Sequence, residues 1–260
     1  MDIVKIAPEI WRRATDAPHR LLALDYDGTL AAFHIDRRRA TMAAGAHEAL
    51  RRIAGSGRTT MAIISGRPVA ELIDLVAMPS VYLVGEHGWE AADSSGRVHR
   101  QPLAPAAAQG VAQAWSEAES QGWSDRVERK RTGTVLHLRG LVQAEAAALR
   151  AIAVRSWGRI ARAGALRLEE TAGGLELRAV GNDKGTAVRD ILAGLPTGTL
   201  PIVLGDDTTD EDAFRAIAGI GVAIRVGEAS KTEPPGEWLA SPDDVVKFLR
   251  LWLQHVEEES

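Results

Sequence analysis

Asp25-Tyr26-Asp27-Gly28-Thr29 places two carboxylates two residues apart, directly after the apolar run Leu21-Leu22-Ala23-Leu24. Neighbouring negative charge raises the pKa of one member of such a pair, so the arrangement suits a carboxylate nucleophile beside a proton donor. Gly28 lets backbone N–H groups face an anion. An EF-hand calcium loop is excluded, because its glycine lies further along the loop and a glutamate closes it. A second acidic run, Asp206, Asp207 and Asp210, follows Ile202-Val203-Leu204-Gly205. Five carboxylates gathered in one place need a cation. With no cysteine and no paired-histidine spacing, a hard divalent ion on oxygen ligands, Mg²⁺ first, fits better than zinc. Lys184, in Asn182-Asp183-Lys184-Gly185, would supply fixed positive charge to a carboxylate nucleophile and a phosphate.

These residues need a scaffold that brings them together. Leu21–Leu24, Thr59–Ile64, Val81–Val84, Ile202–Leu204 and Val222–Ile224 are short apolar runs that read as buried strands. Helical stretches separate them: Thr41–Ile53, a helix after Ser65-Gly66-Arg67 with Pro68 in its first turn, and one from Lys184 to Leu192. Strand and helix in alternation predict βαβ units and a parallel sheet. In such sheets ligands bind at the carboxyl ends of strands, and the clusters at Asp25/Asp27, Ser65, Gly85-Glu86-His87-Gly88 and Asp206/Asp207 all fall on strand ends. The middle of the chain reads differently. Helices from Pro105 and Val142 flank the β-like Thr134–Arg139, and Leu166–Glu170 and Leu175–Arg178 alternate in period two around Ala172-Gly173-Gly174, a hairpin with one polar face. A terminal helix covers Asp243–Gln254. The expected organisation is a split α/β core, 1–103 and 181–260, with an α+β cap inserted at 104–180.

Composition narrows the function classes. The 260 residues carry 31 Lys+Arg and 35 Asp+Glu, a net charge of −4, with 45% apolar and 25% charged residues. That is ordinary globular composition, and it gives no electrostatic drive toward nucleic acid or anionic lipid. No stretch approaches the roughly 18 to 20 apolar residues that cross a bilayer. Met1–Glu9 carries early acids and no apolar signal-type run. The expectation is a soluble cytoplasmic protein whose partner is a small molecule. A Rossmann dinucleotide module is disfavoured, since no strand leads into G-x-G-x-x-G.

Asp25-x-Asp27-Gly28-Thr29-Leu30, Ser65-Gly66-Arg67, Lys184 and Gly205-Asp206-Asp207-x-Thr209-Asp210 resemble, in order, the four motifs of the haloacid dehalogenase-like phosphatases. Gly85–Gly88, Glu128-Arg129-Lys130, His137-Leu138-Arg139, Glu176-Leu177-Arg178 and the stretch Gly205–Glu211 resemble signatures of the trehalose-6-phosphate phosphatases. The resemblance implies a Rossmann-like core with a C2-type cap, and an Mg²⁺-dependent phosphatase that hydrolyses trehalose 6-phosphate to trehalose and inorganic phosphate through an aspartyl-phosphate. It implies Asp25 as nucleophile, Asp27 as acid and base, and Lys184 and Ser65 on the phosphoryl oxygens. Asp25, Asp206 and the Asp27 carbonyl would hold the metal, with Asp207 and Asp210 behind them. Gly66, Arg67, His87, Glu128, Lys130, Glu176 and Arg178 would contact the substrate. Alternatives are a phosphatase of another sugar phosphate, such as a glycosylglycerate or sucrose phosphate, a sugar phosphotransferase, and a non-catalytic sugar-phosphate sensor. Trp89, Trp115, Trp123 and Trp157 are assigned to the core, with no role in binding.

Overall fold

The computed structural model describes residues 6–34, 36, 39–93, 95–163, 165–171, 173–227 and 237–257. Ala172 of the expected hairpin turn, and the first five residues of the opening segment, lie outside them. The chain divides into two units, 1–99 with 183–260, and 100–182.

The first unit begins with α1 (Pro8–Asp16), β1 (Arg20–Leu24), α2 (Ala46–Gly55), β2 (Thr59–Ile64), α3 (Val69–Val76), β3 (Tyr82–Gly85), β4 (Glu90–Ala92) and β5 (Val98–Arg100). The second contains α4 (Pro105–Ser120), β6 (Val127–Arg129), β7 (Gly133–His137), α5 (Gln143–Ala163), β8 (Leu166–Thr171) and β9 (Gly174–Ala179). The first then resumes with α6 (Lys184–Ala193), β10 (Leu200–Gly205), α7 (Glu211–Ala216), β11 (Val222–Val226), β12 (Glu237–Leu239) and α8 (Pro242–Trp252).

The larger sheet has the order β12-β11-β10-β1-β2-β3-β4-β5. From β12 to β3 neighbouring strands pair in parallel; β4 turns back antiparallel on β3. β1 and β10 are buried along their whole length, because a central parallel strand is covered on both faces and reads as a continuous apolar run. One side of the sheet packs on Leu50, Ile53, Phe248 and Trp252 of α2 and α8, the other on Val188, Phe214 and Ile217.

The expected helix over Thr41–Ile53 is shorter at its start and begins at Ala46. Met42 bridges to Ala31 and Gly45 sits at φ +92°, a left-handed turn that breaks helical propagation before Ala46. Pro68 precedes α3 as its cap, with ψ 142°, instead of entering the first turn. Among the described residues no helix is long and apolar enough to cross a membrane.

In the second unit the sheet order is β6-β7-β9-β8, antiparallel throughout. Register aligns Leu136, Leu175 and Thr134, Leu177, Leu168 on one face. That face carries the unit's buried leucines, and the core includes Val111 and Ala114 of α4 and Ala153, Trp157 and Ile160 of α5. Trp123 and Trp157 meet edge to face there, at 6.4 Å. Period two sends the alternate residues to the opposite, polar face.

Candidate active site

β10, β1 and β2 are adjacent, so their carboxyl ends bring Asp206, Asp25 and Ser65 to one edge of the sheet. The ladder continues one step past the strands: Asp25 N–H donates to Leu204 O and Ser65 N–H to Val84 O. The loop after β1 then folds on itself, with Gly28 N–H donating to Ala31 O and Leu30 N–H to Tyr26 O. Gly28 takes φ +86°, and a Cβ there would lie 2.1 Å from Asp206 Oδ2. The two acidic loops therefore meet at a position that admits only glycine.

Lys184 opens α6, whose start is fixed by Asp183 accepting from Thr186 N–H at 2.7 Å. Its Nζ donates to Asp25 Oδ1 at 2.6 Å and Asp210 Oδ1 at 2.7 Å, all three side chains being buried. Asp210 is the hub of the loop after β10. Its other oxygen accepts from Asp206 N–H and Asp207 N–H, both at 3.0 Å. Asp207 accepts from Thr208 N–H, capping the short 3₁₀ turn that leads into α7.

Burial pushes the Asp25 carboxyl up to about 7, with Lys184 pulling down and Asp210 and Asp27 pushing up. Burial, then Asp25 and Asp210, push Asp206 up to about 9. Burial works against the charge on Lys184, but Asp210 and Asp25 outweigh it and the ammonium is held well above its ordinary range. Asp25, Asp206 and Asp210 offer oxygens within 4.8 Å of one another, and Asp206 Oδ1 is buried without a hydrogen-bond partner. A buried orphan acceptor in an acidic cluster, with oxygen donors alone, fits a hard divalent cation.

Asp27 is placed differently. Its two oxygens accept from Arg67 Nε at 2.6 Å and Arg67 Nη2 at 2.7 Å. Arg67 also reaches Glu71 Oε2 at 3.4 Å and lies over the Tyr26 ring, 5.2 Å from its centroid. Ser65 Oγ accepts from Arg67 N–H, and Glu86 N–H donates to Arg67 O. His87 belongs to this first unit. It and Glu86 both adopt positive φ, 57° and 44°; His87 N–H donates to Ser65 O, and its ring packs on Gly66, where a Cβ would lie 2.7 Å from Nε2.

The remaining expected contacts lie in the second unit, on the polar face of its sheet. Glu128, Val135, Glu176 and Glu169 stand in one cross-strand row. Like charges directly opposite are unfavourable, and cations interleave them. Lys130 Nζ donates to Glu176 Oε1 at 2.7 Å and stands 3.9 Å from Glu128 Oε1. His137 Nε2 is 3.0 Å from Glu128 Oε2. Arg178 Nε and Arg167 Nε each reach Glu169, at 2.6 Å. The sequence reading did not single out Glu169, Arg167 or Glu71 as site residues. The signals were present as Arg167 and Glu169 at period two, and Glu71 one helical turn after Arg67.

The family model of the trehalose-phosphatases matches residues 23–239. A trehalose-phosphate phosphatase of Mycobacterium marinum is 36% identical over 217 residues, covering 80% of this chain and 54% of that protein. The chain thus spans about half the length of the curated relatives it matches first. Among solved structures, the C-terminal domain of C. albicans trehalose-6-phosphate phosphatase aligns with a TM-score of 0.79 at 22% identity, over 94% of this chain and 95% of that one. A haloacid dehalogenase-like hydrolase from B. subtilis aligns with a TM-score of 0.63 at 13% identity, over 89% and 99%. These two likenesses are of fold: a haloacid dehalogenase-like α/β architecture with a mostly parallel sheet and a separate antiparallel one.

Proposed function

This chain belongs to the trehalose-phosphatase family, and from that membership we propose that it hydrolyses trehalose 6-phosphate to trehalose and inorganic phosphate through an aspartyl-phosphate on Asp25. The observation that carries the chemistry is the single ammonium of Lys184 shared by Asp25 and Asp210, beside the unpartnered oxygen of Asp206. A non-catalytic phosphate sensor has no need of a carboxylate so placed.

In the first step Asp25 attacks phosphorus while the bond from phosphorus to the sugar oxygen breaks, and that oxygen takes the proton carried by Asp27. In the second, water attacks phosphorus and gives a proton to Asp27; phosphate leaves and Asp25 is restored. Lys184, Ser65 and backbone N–H groups offset charge on the phosphoryl oxygens, the dominant demand in phosphoryl transfer. Asp25 and Asp206 side chains, with the Asp27 carbonyl, would hold a divalent cation, most simply Mg²⁺. When bound, such an ion neutralises charge on the transferring group. Asp210 orients Lys184, and Asp207 fixes the loop that carries Asp206. Glu128, Lys130, Glu176 and Arg178 are the proposed sugar-hydroxyl contacts, while Gly66 and His87 shape the loop at Ser65.

The test is phosphate release from trehalose 6-phosphate, glucose 6-phosphate, sucrose 6-phosphate and a glycosylglycerate phosphate, with Mg²⁺ or EDTA. Selective, EDTA-sensitive release from trehalose 6-phosphate is expected. Release from another sugar overturns the substrate and keeps the chemistry; binding without release from any of them overturns the chemistry.

A further inference from the structure

Arg67 looks from sequence like a substrate contact, but its donors are directed elsewhere. The guanidinium grips both oxygens of Asp27 side-on, reaches Glu71 with a third nitrogen, and lies against the Tyr26 ring. We propose that Arg67 acts on the reaction through Asp27, as a positioning residue that fixes the plane of that carboxylate, and not by touching the substrate. The inference rests on the acid–base role proposed for Asp27.

Burial decides which partner holds which. The Arg67 side chain is 3% exposed and that of Asp27 29%. Arg67 is also tied at its backbone, where N–H donates to Ser65 Oγ and O accepts from Glu86 N–H. A half-open aspartate on a loop has several rotamers within reach, and each misplacement of about 1 Å at a reacting group is costly in rate. A bidentate guanidinium restricts those rotamers in a way a single ammonium does not. It leaves each carboxylate oxygen a second acceptor site, where Asp27 can carry the proton for the leaving oxygen and later take one from water while held. The loop around Ser65 therefore serves two ends: it presents the serine, and it carries the arm that aims the acid and base.

The experiment compares Arg67→Ala and Arg67→Lys, in the unaltered chain and in Asp27→Asn, on trehalose 6-phosphate and on p-nitrophenyl phosphate with Mg²⁺. The aryl leaving group departs without a proton, so only the second step then needs Asp27. For Arg67→Ala, kcat on the sugar ester is expected to fall by about 100-fold or more, the usual worth of a placed general acid, with KM within about threefold of the parent. On the aryl ester a burst of about one nitrophenolate per protein should precede slow turnover, because the aspartyl-phosphate forms and then waits for its base. In the Asp27→Asn background, Arg67→Ala should cost less than about twofold more. Arg67→Lys, which keeps the charge but grips at one point, should show the same pattern at smaller size, and it carries the test if the alanine variant does not fold. A raised KM with kcat unchanged, equal loss on both esters without a burst, or a full Arg67 effect in Asp27→Asn would each overturn the proposal. If the unaltered chain releases no phosphate from trehalose 6-phosphate, the sugar assignment fails while the aryl ester still reads Arg67.

Discussion

The two polar clusters of this chain are assembled by opposite means. In the first unit, loops after three adjacent parallel strands collect Asp25, Asp27, Asp206 and Asp210 against two cations, Lys184 and Arg67. Asp206 keeps a buried oxygen with no partner. In the second unit, a cross-strand row of Glu128, Glu176 and Glu169 is met by Lys130, His137, Arg167 and Arg178. One cluster is short of positive charge and the other is balanced. A site short of positive charge suits a cation that arrives together with an anion; a balanced one suits neutral hydroxyls that exchange hydrogen bonds without changing net charge.

The sharpest way to break that contrast is to remove charge from the first cluster. Asp25→Asn should lower turnover by at least about 10⁴-fold, the scale set by loss of a covalent nucleophile. It should leave the metal-free chain no less stable, because a buried repulsive carboxylate has gone. Steady-state kinetics and thermal unfolding of the same sample check both halves, and substantial residual turnover would discard Asp25 as nucleophile.

In the balanced cluster the same kind of cut should act the other way. Lys130 and Glu176 are almost fully buried, 7% and 4% exposed, and 2.7 Å apart. Lys130→Ala removes the ammonium 2.7 Å from a buried carboxylate, so a loss of about 3–5 kcal/mol in stability is expected. KM for the sugar phosphate should rise by about tenfold or more with a smaller change in kcat. Pairing Lys130→Met with Glu176→Gln should recover most of the stability and none of the KM. Recovery of both would make this pair a structural feature only.

Metal and pH sharpen the contrast further. Asp25 and Asp206 have folded pKa values raised to about 7 and about 9 from an ordinary 3.8. Between those limits the folded chain binds more protons than the unfolded one, so the stability these groups contribute is present at low pH and lost as pH rises through about 7 and about 9. A divalent cation bound at these carboxylates would take the place of the protons. Unfolding temperatures in EDTA should therefore fall by several degrees between about pH 5 and pH 9, and the increment from Mg²⁺ should grow over the same range. An increment independent of pH would separate the metal from these two carboxylates.

How much of this was legible beforehand differs between the clusters, and for physical reasons. The central strands announce themselves because burial on both faces demands unbroken apolar runs such as Leu21–Leu24 and Ile202–Leu204. Their polar ends then mark the site, and Lys184 with Asp25 and Asp210 is where the order of motifs implied. For Arg67 the sequence gives the charge and not the Asp27 carboxylate that it grips. His87, expected among the substrate contacts, lies in the first unit with its ring packed on Gly66. β4, β5 and β12 are three residues each, too short for period two to register. Glu169 and Arg167 were hidden because alternating charge on a hairpin is the ordinary signature of a wet face; only register places Glu169 opposite Glu176.

The smallest expected effect lies at the rim of the balanced cluster. His137 is 41% exposed while its partner Glu128 is 11% exposed, with Nε2 3.0 Å from Oε2. An open partner is screened by water and gains little from the contact. His137→Ala should therefore cost less than about 1 kcal/mol in stability, and it should move KM by less than Lys130→Ala does. Glu128→Gln tests the other end of the same contact: it keeps the shape and removes the charge next to Lys130. If the row works as a balanced unit, Glu128→Gln should disturb KM more than His137→Ala, since it alters the charge shared with Lys130 and Glu176. Should His137→Ala prove the costlier of the two, the histidine carries binding in its own right and the row is no longer the unit that matters.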